Sequence, residues 1–311
     1  MSRLLILGGS GFVGRALVQR LSRAGHAVTV LSRNLNTHSQ RLLPPGVVLH
    51  ELDVYDPQAL QQAIAGHDAV INLVGILNES GDSGRGFQRA HVHLTKLVIA
   101  ACQLGGVNRL LQMSSLNAGR GHSHYLKSRG EAEAAVKASG LQWTIFEPSV
   151  IFGQGDGLFC RFAEVLKLAP VLPLARAGCK FAPVYLGDVV TAFERALADD
   201  RTIGEVYELY GPDVFTLADI VRITARQLGL QRWVLPLPDA LGRMQALAMD
   251  FVPGKPFSSD NYRSLLTDSV GGVDGLHRLG IVPVRVAEVL SDILGHADDK
   301  QTRYARYRAR R

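Results

Sequence analysis

The amino-acid sequence predicts a doubly wound α/β fold, in which helices cover both faces of a parallel sheet, with a smaller C-terminal lobe. Two observations lead to this prediction. Short, wholly apolar runs alternate strictly with helical patterns through the first half, and a glycine-rich turn joins the first run to the first helix. Strands buried on both faces of a parallel sheet have continuous apolar sequences, and strict strand–helix alternation is typical of this fold class.

The predicted elements follow in chain order. Strands are predicted at residues 4–7, 27–31, 47–52, 69–74, 109–113 and 143–146. Helices are predicted at residues 14–23, from 57 onward, at 88–104 and at 125–139. The second helix starts at Asp56-Pro57, because proline suits the first helical position. After Pro148 prolines cluster, and helices are predicted only near residues 188–197, 217–228 and 286–294. The second half is therefore expected to pack on the first as a lobe.

Composition excludes several classes of protein. Of the 311 residues, 47% are hydrophobic and 20% charged, which is typical of a globular chain and not of a disordered one. The three cysteines are widely spaced, so a disulfide framework or a zinc cluster is not expected, and a reducing, cytoplasmic location is. The longest apolar run, residues 69–77, is shorter than a membrane helix requires, and the N-terminus does not resemble a signal peptide.

The positive net charge lies in the last twelve residues. Residues 300–311 contain six basic residues and no acidic one, and the rest of the chain has 28 of each sign. A neutral body does not predict a specific nucleic-acid interface. The tail interleaves Tyr304 and Tyr307 with arginines. Nucleic acid, an acidic protein or an anionic membrane surface could each bind this tail, or it could simply be solvated. A membrane surface would place the chain at the periphery of the inner membrane.

A phosphate-binding turn is predicted between the first strand and the first helix. Gly8, Gly11 and Gly14 have the required spacing, and Ser10, Phe12 and Val13 complete the loop. Gly8 permits the turn, Gly11 lets the backbone approach a pyrophosphate, and Gly14 lets the helix pack on the sheet. Unpaired amides at the helix N-terminus attract phosphate. The alternative is a glycine turn without a ligand.

The end of the second strand favours NADP(H) over NAD(H). NAD sites usually place an acidic residue about 20 residues after the loop. Here the sequence is Ser32-Arg33-Asn34, without an acidic residue. The guanidinium of Arg33 suits a 2′-phosphate, and a solvated surface arginine is the alternative.

These features resemble the short-chain dehydrogenase/reductase superfamily in its extended and atypical branches. The match extends over nearly the whole chain, through Leu52-Asp53-Val54, Leu73-Val74-Gly75, Pro148-Ser149-Val150, residues 183–190 and residues 205–212. The resemblance implies a Rossmann domain at 1–150, a mixed segment at 151–299 that adds to this core and forms a substrate-binding lobe, and a basic tail at 300–311. It also implies cofactor contacts by Asp53 (to the adenine amino group), Val54, Leu73, Val74, Gly75, Tyr125, Pro148 and Val150.

A narrower resemblance is to the group that contains the NADPH-binding accessory subunit of respiratory complex I and its bacterial relatives. It is carried by residues 72–77 and 148–156. Glu147 stands immediately before the second segment, at a position where the superfamily usually has arginine.

The resemblance implies that Ser115, Tyr125 and Arg129 form the catalytic set. Superfamily enzymes use a tyrosine as general acid/base, a lysine four residues later and a hydroxyl residue after the fifth strand. Here arginine replaces that lysine, and Ser115, with Ser114 before it, aligns with the hydroxyl. A cation beneath a phenol lowers its pKa from roughly 10, and arginine keeps the charge in a broader group. Tyr125 as an ordinary residue at a helix start and serines that simply end a strand are the alternatives.

Two functions of different class follow. One is an NADP-dependent oxidoreductase that acts on a carbonyl or quinone-like substrate through Tyr125 and Ser115. The other is an accessory or assembly protein that holds NADPH without turnover in a respiratory NADH dehydrogenase complex. His122 and His124 have no carboxylate neighbour in the sequence and are expected to be loop residues, so no metal site is predicted.

Overall fold

The computed structural model describes residues 1–33, 43–253 and 255–295. Its strands are β1 (Arg3–Leu7), β2 (Ala27–Ser32), β3 (Val48–Glu51), β4 (Ala69–Asn72), β5 (Arg109–Met113), β6 (Gln142–Pro148), β7 (Ile151–Phe152), β8 (Val171–Leu174), β9 (Lys180–Phe181), β10 (Val184–Tyr185), β11 (Glu205–Leu209), β12 (Phe215–Thr216) and β13 (Trp233–Pro236). Its helices are α1 (Phe12–Arg23), α2 (Pro57–Ile64), α3 (Arg85–Phe87), α4 (Leu94–Gly105), α5 (His124–Lys137), α6 (Phe159–Leu168), α7 (Leu186–Ala198), α8 (Leu217–Gln227), α9 (Asp239–Met249), α10 (Ser259–Ser264), α11 (Gly275–Arg278) and α12 (Val286–Leu294).

Seven parallel strands form the central sheet in the order β3-β2-β1-β4-β5-β6-β11. This confirms the predicted doubly wound fold. The strand order reverses at β1, where Leu7 pairs with Leu31 on one side and with Asn72 on the other. In open α/β sheets, ligands bind in the crevice at the carboxyl ends of the strands beside such a reversal. The glycine turn follows β1 directly and therefore lies at this crevice.

Two apolar layers enclose the sheet because successive strand residues point to opposite faces. Leu4 and Ile6 pack with residues of α1 and α7 on one face. Leu5 and Leu7 pack with residues of α2, α4 and α5 on the other, where Cys102 is also buried. The four apolar side chains of β1 are at most 1% exposed, which explains why they form a continuous apolar run.

The sheet differs from the prediction at two places. Residues 205–209 were not predicted as a strand, yet they pair with β6 and form the seventh strand, β11. The predicted strand at 69–74 ends at Asn72, whose side chain bonds to the neighbouring strand and to the backbone that follows. Its Nδ2 donates to Gln112 Oε1 over 3.0 Å, and its Oδ1 accepts from the Val74 amide over 3.2 Å.

The helix predicted at 88–104 starts earlier and is irregular. It begins at Arg85, and Gln88–His93 forms a π-helical segment that continues directly into α4. Glu79 accepts hydrogen bonds from the amides of Gly84 and Gly86 and so fixes the helix start. Segments of π-helix are rare and often lie at functional sites.

The second half adds β11 to the sheet and builds a lobe from three two-stranded sheets and the helices between them. Three apolar clusters fill this lobe, one around Leu166 and Val221, one around Phe159 and Ile220, and one around Ala246 and Tyr262. Of the helices in the described ranges, none is both long enough and apolar enough for a membrane crossing. The basic tail and Asn34 lie outside the described residues.

Candidate cofactor and active site

The glycine loop has the geometry of a phosphate cradle. Gly8 has a φ of +79°, and a Cβ there would lie 3.1 Å from the Leu73 carbonyl carbon. A Cβ on Gly14 would lie 2.2 Å from the Gly8 oxygen. Gly11 is exposed and precedes α1 without a side-chain cap, so the first amides of α1 face outward. Backbone this close, with an uncapped helix N-terminus, fits a dinucleotide pyrophosphate.

The other predicted cofactor residues lie in the glycine loop, in the first turn of α1, or near the carboxyl ends of neighbouring strands. Ser10, Phe12, Val13, Leu73, Val74 and Val150 are half-buried, Val54 and Pro148 are buried, and Arg33, Asp53 and Gly75 are exposed. Leu73 lies directly against Gly8. Asp53 Oδ1 accepts from the Tyr55 amide over 3.0 Å and shapes the turn after β3. A cleft of about 1100 Å³ opens beside α1, with Phe12 and Arg15 on one side and Gly153, Tyr185 and Leu186 on the other.

Tyr125 lies in the first turn of α5. The Ser123 hydroxyl accepts from the Leu126 amide over 3.1 Å and caps the helix. Asp260 of α10 adds a second cap: its two carboxylate oxygens accept from the amides of His124 (2.7 Å) and Tyr125 (3.1 Å). Carboxylates at a helix N-terminus are stabilising. The lobe therefore holds the start of the helix that carries the tyrosine.

His91 of the π-helical segment supports the same region. It is buried, and its ring lies edge-on to Tyr125 with centroids 5.6 Å apart. Its Nε2 accepts from the Ile76 amide over 3.1 Å, and its Nδ1 lies 2.7 Å from the Ser128 hydroxyl. Burial, with a smaller contribution from the charge of Arg129, lowers the pKa of His91 to about 2. The imidazole is therefore neutral and orients its neighbours.

Arg129 is buried between the ends of β4 and β5. Its Nη1 donates to the Met113 carbonyl over 3.1 Å and to the Val74 carbonyl over 3.5 Å. Its guanidinium carbon lies 5.5 Å from the centroid of the Tyr125 ring. Its Nε is buried and has no hydrogen-bond partner among the described residues. Arg129 thus brings a fixed positive charge beside the tyrosine.

Ser114 and Ser115 follow β5 at the same edge of the sheet. Both are buried, at 4% and 8% exposure, and neither hydroxyl has a hydrogen-bond partner within the described part of the chain. A buried hydroxyl without a partner costs free energy. Two such hydroxyls beside the crevice, together with the free Arg129 Nε, fit a site that is completed by a polar ligand.

Glu147 replaces the expected arginine and lies in an acidic pair. Burial raises the pKa of Glu147 to about 8, and the neighbouring carboxylate of Glu133 adds to the shift. Glu133 is itself buried and pairs with Lys137 over 3.0 Å. Glu147 is therefore largely protonated at neutral pH.

The expectation that His124 lacks carboxylate neighbours was wrong. Asp82, His124 and Asp260 bring potential ligand atoms within 4.8 Å of one another. Asp82 comes from the loop after β4 and Asp260 from α10, so only the fold brings them together. Arg263 donates hydrogen bonds to both carboxylates, and its positive charge balances part of their negative charge. The cluster is an ion-pair network that joins the lobe to α5.

Sequence reasoning missed Asp260 and His91. Asp260 lies 135 residues from Tyr125 and no local pattern connects them. No spacing pattern points to His91, because His91 and His93 are two residues apart and cannot share a helix face. A histidine on an otherwise apolar helix face was the feature of the sequence that could have identified it.

Comparison with known proteins agrees with this geometry. Residues 8–158 match the family described as NAD(P)H-binding. The chain is 32% identical over 282 residues to mitochondrial NADH dehydrogenase (ubiquinone) 1 alpha subcomplex subunit 9 of Arabidopsis thaliana, which covers 85% of this chain and 70% of that protein. It is 27% identical to 2-alkyl-3-oxoalkanoate reductase of Stenotrophomonas maltophilia, over 74% of this chain and 77% of that protein. The NAD complex of UDP-glucose 4-epimerase from Thermus thermophilus has the same fold (TM-score 0.66, 23% identity, 84% of this chain and 99% of that chain).

The fold and the glycine loop define an NAD(P)H-binding protein. The chain belongs to the atypical short-chain dehydrogenase/reductase superfamily and is related to the complex I subunit.

Proposed function

We propose that this protein is an NADPH-dependent oxidoreductase that acts on a carbonyl or quinone-like substrate. The observation that carries the proposal is the group of polar atoms at the sheet edge: Ser114 and Ser115 have buried hydroxyls without partners in the described ranges, and Arg129 lies beside the Tyr125 ring. Similarity to a protein named as a 2-alkyl-3-oxoalkanoate reductase supports the reaction class.

Each residue has a distinct role in this proposal. NADPH supplies the hydride when it is bound. Tyr125 donates the proton to the developing alkoxide, and Ser115 donates a hydrogen bond to the substrate oxygen. Arg129 holds a positive charge beside the phenol ring, 5.5 Å from its centroid. His91, held neutral by burial, fixes the Tyr125 ring and does not exchange protons near neutral pH.

Substitution of Tyr125 tests the reaction. Tyr125→Phe is expected to lower turnover of a panel of carbonyls and quinones by roughly 10²–10⁴-fold, while the NADPH dissociation constant stays unchanged. Tyr210→Phe serves as the matched control. Arg129→Lys is expected to raise activity or shift its pH optimum, because a compact ammonium replaces a dispersed charge. Turnover that survives Tyr125→Phe would contradict the proposal.

NADPH is proposed as the preferred cofactor because Arg33 is exposed at the end of β2. Arg33→Ala is expected to weaken the binding of NADPH by about 1.5–3 kcal/mol, the value of a charge-assisted hydrogen bond. The binding of NADH should stay unchanged. Fluorescence titration measures both, with the exposed Arg120→Ala as control. Equal wild-type affinities for the two cofactors would refute the preference.

A second candidate function is a nucleotide-binding accessory protein without turnover. Similarity to a subunit named for an NADH dehydrogenase complex favours it, as does arginine in place of the superfamily's lysine. In that case no carbonyl or quinone oxidises bound NADPH, and Tyr125→Phe and Arg129→Lys both leave slow nucleotide release unchanged. The basic tail then recruits the protein to its partner, either an acidic protein or an anionic membrane surface, from a cytoplasmic position at the membrane periphery.

A further inference from the structure

The C-terminal lobe presents a continuous apolar surface. We call it the apolar face and define it by Val171, Trp233, Leu235, Met244 and Leu247. These side chains are 46%, 78%, 53%, 64% and 59% exposed. Leu168, Leu241 and Phe251 lie next to them in the chain and are 88%, 49% and 84% exposed. Contiguous apolar patches of this kind mark interaction sites in soluble proteins.

The strands β8 and β13 form one part of the apolar face, and the side chains of that part point toward solvent. β8 and β13 pair in parallel, with Trp233 opposite Val171 and Leu235 opposite Pro173. The alternate residues, Leu172 and Val234, point the other way and pack on the cluster around Leu166. Both faces of this strand pair are therefore apolar, but the lobe covers only one of them.

The helix part joins this sheet directly. Gly242 and Ala246 form the inner side of α9, where a Cβ on Gly242 would lie 3.1 Å from Ala175 Cβ and 3.3 Å from Tyr262. Met244 and Leu247 lie on the outer side. Gln245 donates from Nε2 to the Pro173 carbonyl over 3.0 Å and holds α9 beside β8. Strand pair and helix therefore form one surface.

The charges around the face are mainly positive. Lys167, Arg176, Arg226, Arg232 and Arg243 lie in or beside its elements. The acidic residues beside them are Glu164, which is exposed in α6, Asp239, which is in ion pairs with Arg176 and Arg243, and Asp250, which is in an ion pair with Lys255. Gln227, at the end of α8 and six residues before Trp233, donates to the Gly295 carbonyl over 3.3 Å. The last described residue is thus held at the end of α8, and the six basic residues of 300–311 follow it in the chain.

We propose that the apolar face docks the protein on an anionic lipid bilayer, a property beyond the proposed oxidoreductase function and independent of it. Tryptophan, leucine and methionine side chains insert at the acyl boundary, while surrounding arginines contact anionic headgroups. The positive charge around the apolar face would repel the same face of a second copy, and it would attract an anionic surface.

Vesicle binding tests the proposal with the full-length chain. The protein should bind vesicles of phosphatidylcholine and phosphatidylglycerol, and bind phosphatidylcholine alone much more weakly. In a Trp143→Phe background Trp233 is the only tryptophan, and its emission should shift to shorter wavelength on binding. The double substitution Trp233→Ser with Met244→Ser should weaken vesicle binding at least tenfold. Val282→Ser is the matched control, because Val282 is equally exposed at 78% but lies elsewhere.

The results of these experiments distinguish a lipid bilayer from a second copy of the chain as the partner of the apolar face. Loss of binding with unchanged thermal stability and NADPH affinity supports the bilayer. Unchanged Trp233 emission on vesicles, or binding that depends on the tail and not on Trp233 and Met244, overturns the proposal. A dimer in sedimentation that the double substitution dissociates also overturns it and assigns the face to a second copy.

Discussion

The contact between Gly75 and Arg129 gives a prediction that needs no substrate. A Cβ at position 75 would lie 2.0 Å from Arg129 Nη2 and 3.0 Å from the guanidinium carbon. The guanidinium cannot simply move aside, because Arg129 is 6% exposed and its Nη1 is held by the Met113 carbonyl. We therefore expect Gly75→Ala to lower the free energy of unfolding by about 1–3 kcal/mol, the range for forcing extra atoms against a tightly packed, buried side chain.

The steric origin of this loss can be isolated by a double-mutant cycle. Arg129→Lys keeps the charge but removes the branched group that a Cβ at position 75 would meet. It costs about 1 kcal/mol by itself through the lost hydrogen bond to the carbonyl. In the lysine background, Gly75→Ala should cost at least ~1 kcal/mol less than in the arginine background, so the two changes are coupled.

Urea unfolding followed by circular dichroism measures the four free energies of the cycle. Gly157→Ala is the control for the glycine-to-alanine change itself, because a Cβ at Gly157 meets no atom within 4 Å. Effects of the two substitutions that add within ~0.5 kcal/mol would refute the proposed contact.

Two further predictions concern pH and the tail. Because the folded-state pKa of Glu147 is about 8 and its ordinary value is 4.5, the unfolded chain loses its proton first, so stability declines as pH rises between these values and levels off above pH 8. Glu147→Gln should flatten this decline and gain ~1–2 kcal/mol at pH 8, whereas the exposed Glu131→Gln should not; a decline that persists in Glu147→Gln would contradict the assignment. Deletion of Lys300–Arg311 should leave the melting temperature and NADPH affinity unchanged, because so charged a segment buries little apolar surface, and a lower melting temperature would show that the tail docks on the body.

Local sequence was sufficient to predict the first six strands and the glycine loop. Buried strands such as β1 have unmistakable apolar runs, and the Gly8–Gly14 spacing follows from backbone sterics. β11 was missed as a strand because Glu205 and Glu208 interrupt its apolar pattern. Edge strands have one exposed side, so polar residues are tolerated there.

The site was less predictable because its parts come from distant segments. Tyr125 and Arg129 are four residues apart on one helix, and their proximity follows from helical spacing. Asp260 and Asp82 take their positions only from the packing of the lobe on α5. Their contacts with His124 and Tyr125 and with Arg263 are set by tertiary structure, which no spacing rule in the sequence encodes.

The second cap on the tyrosine helix has a consequence for how the molecule is made. Asp260 emerges from the ribosome 135 residues after Tyr125, when the first six strands and the glycine loop are already complete. Until then two amides at the start of α5 lack their carboxylate partner. A chain that ended before Asp260 would have only the Ser123 cap at the start of the tyrosine helix. Both caps beside the proposed proton donor are therefore available only once synthesis has run past Asp260.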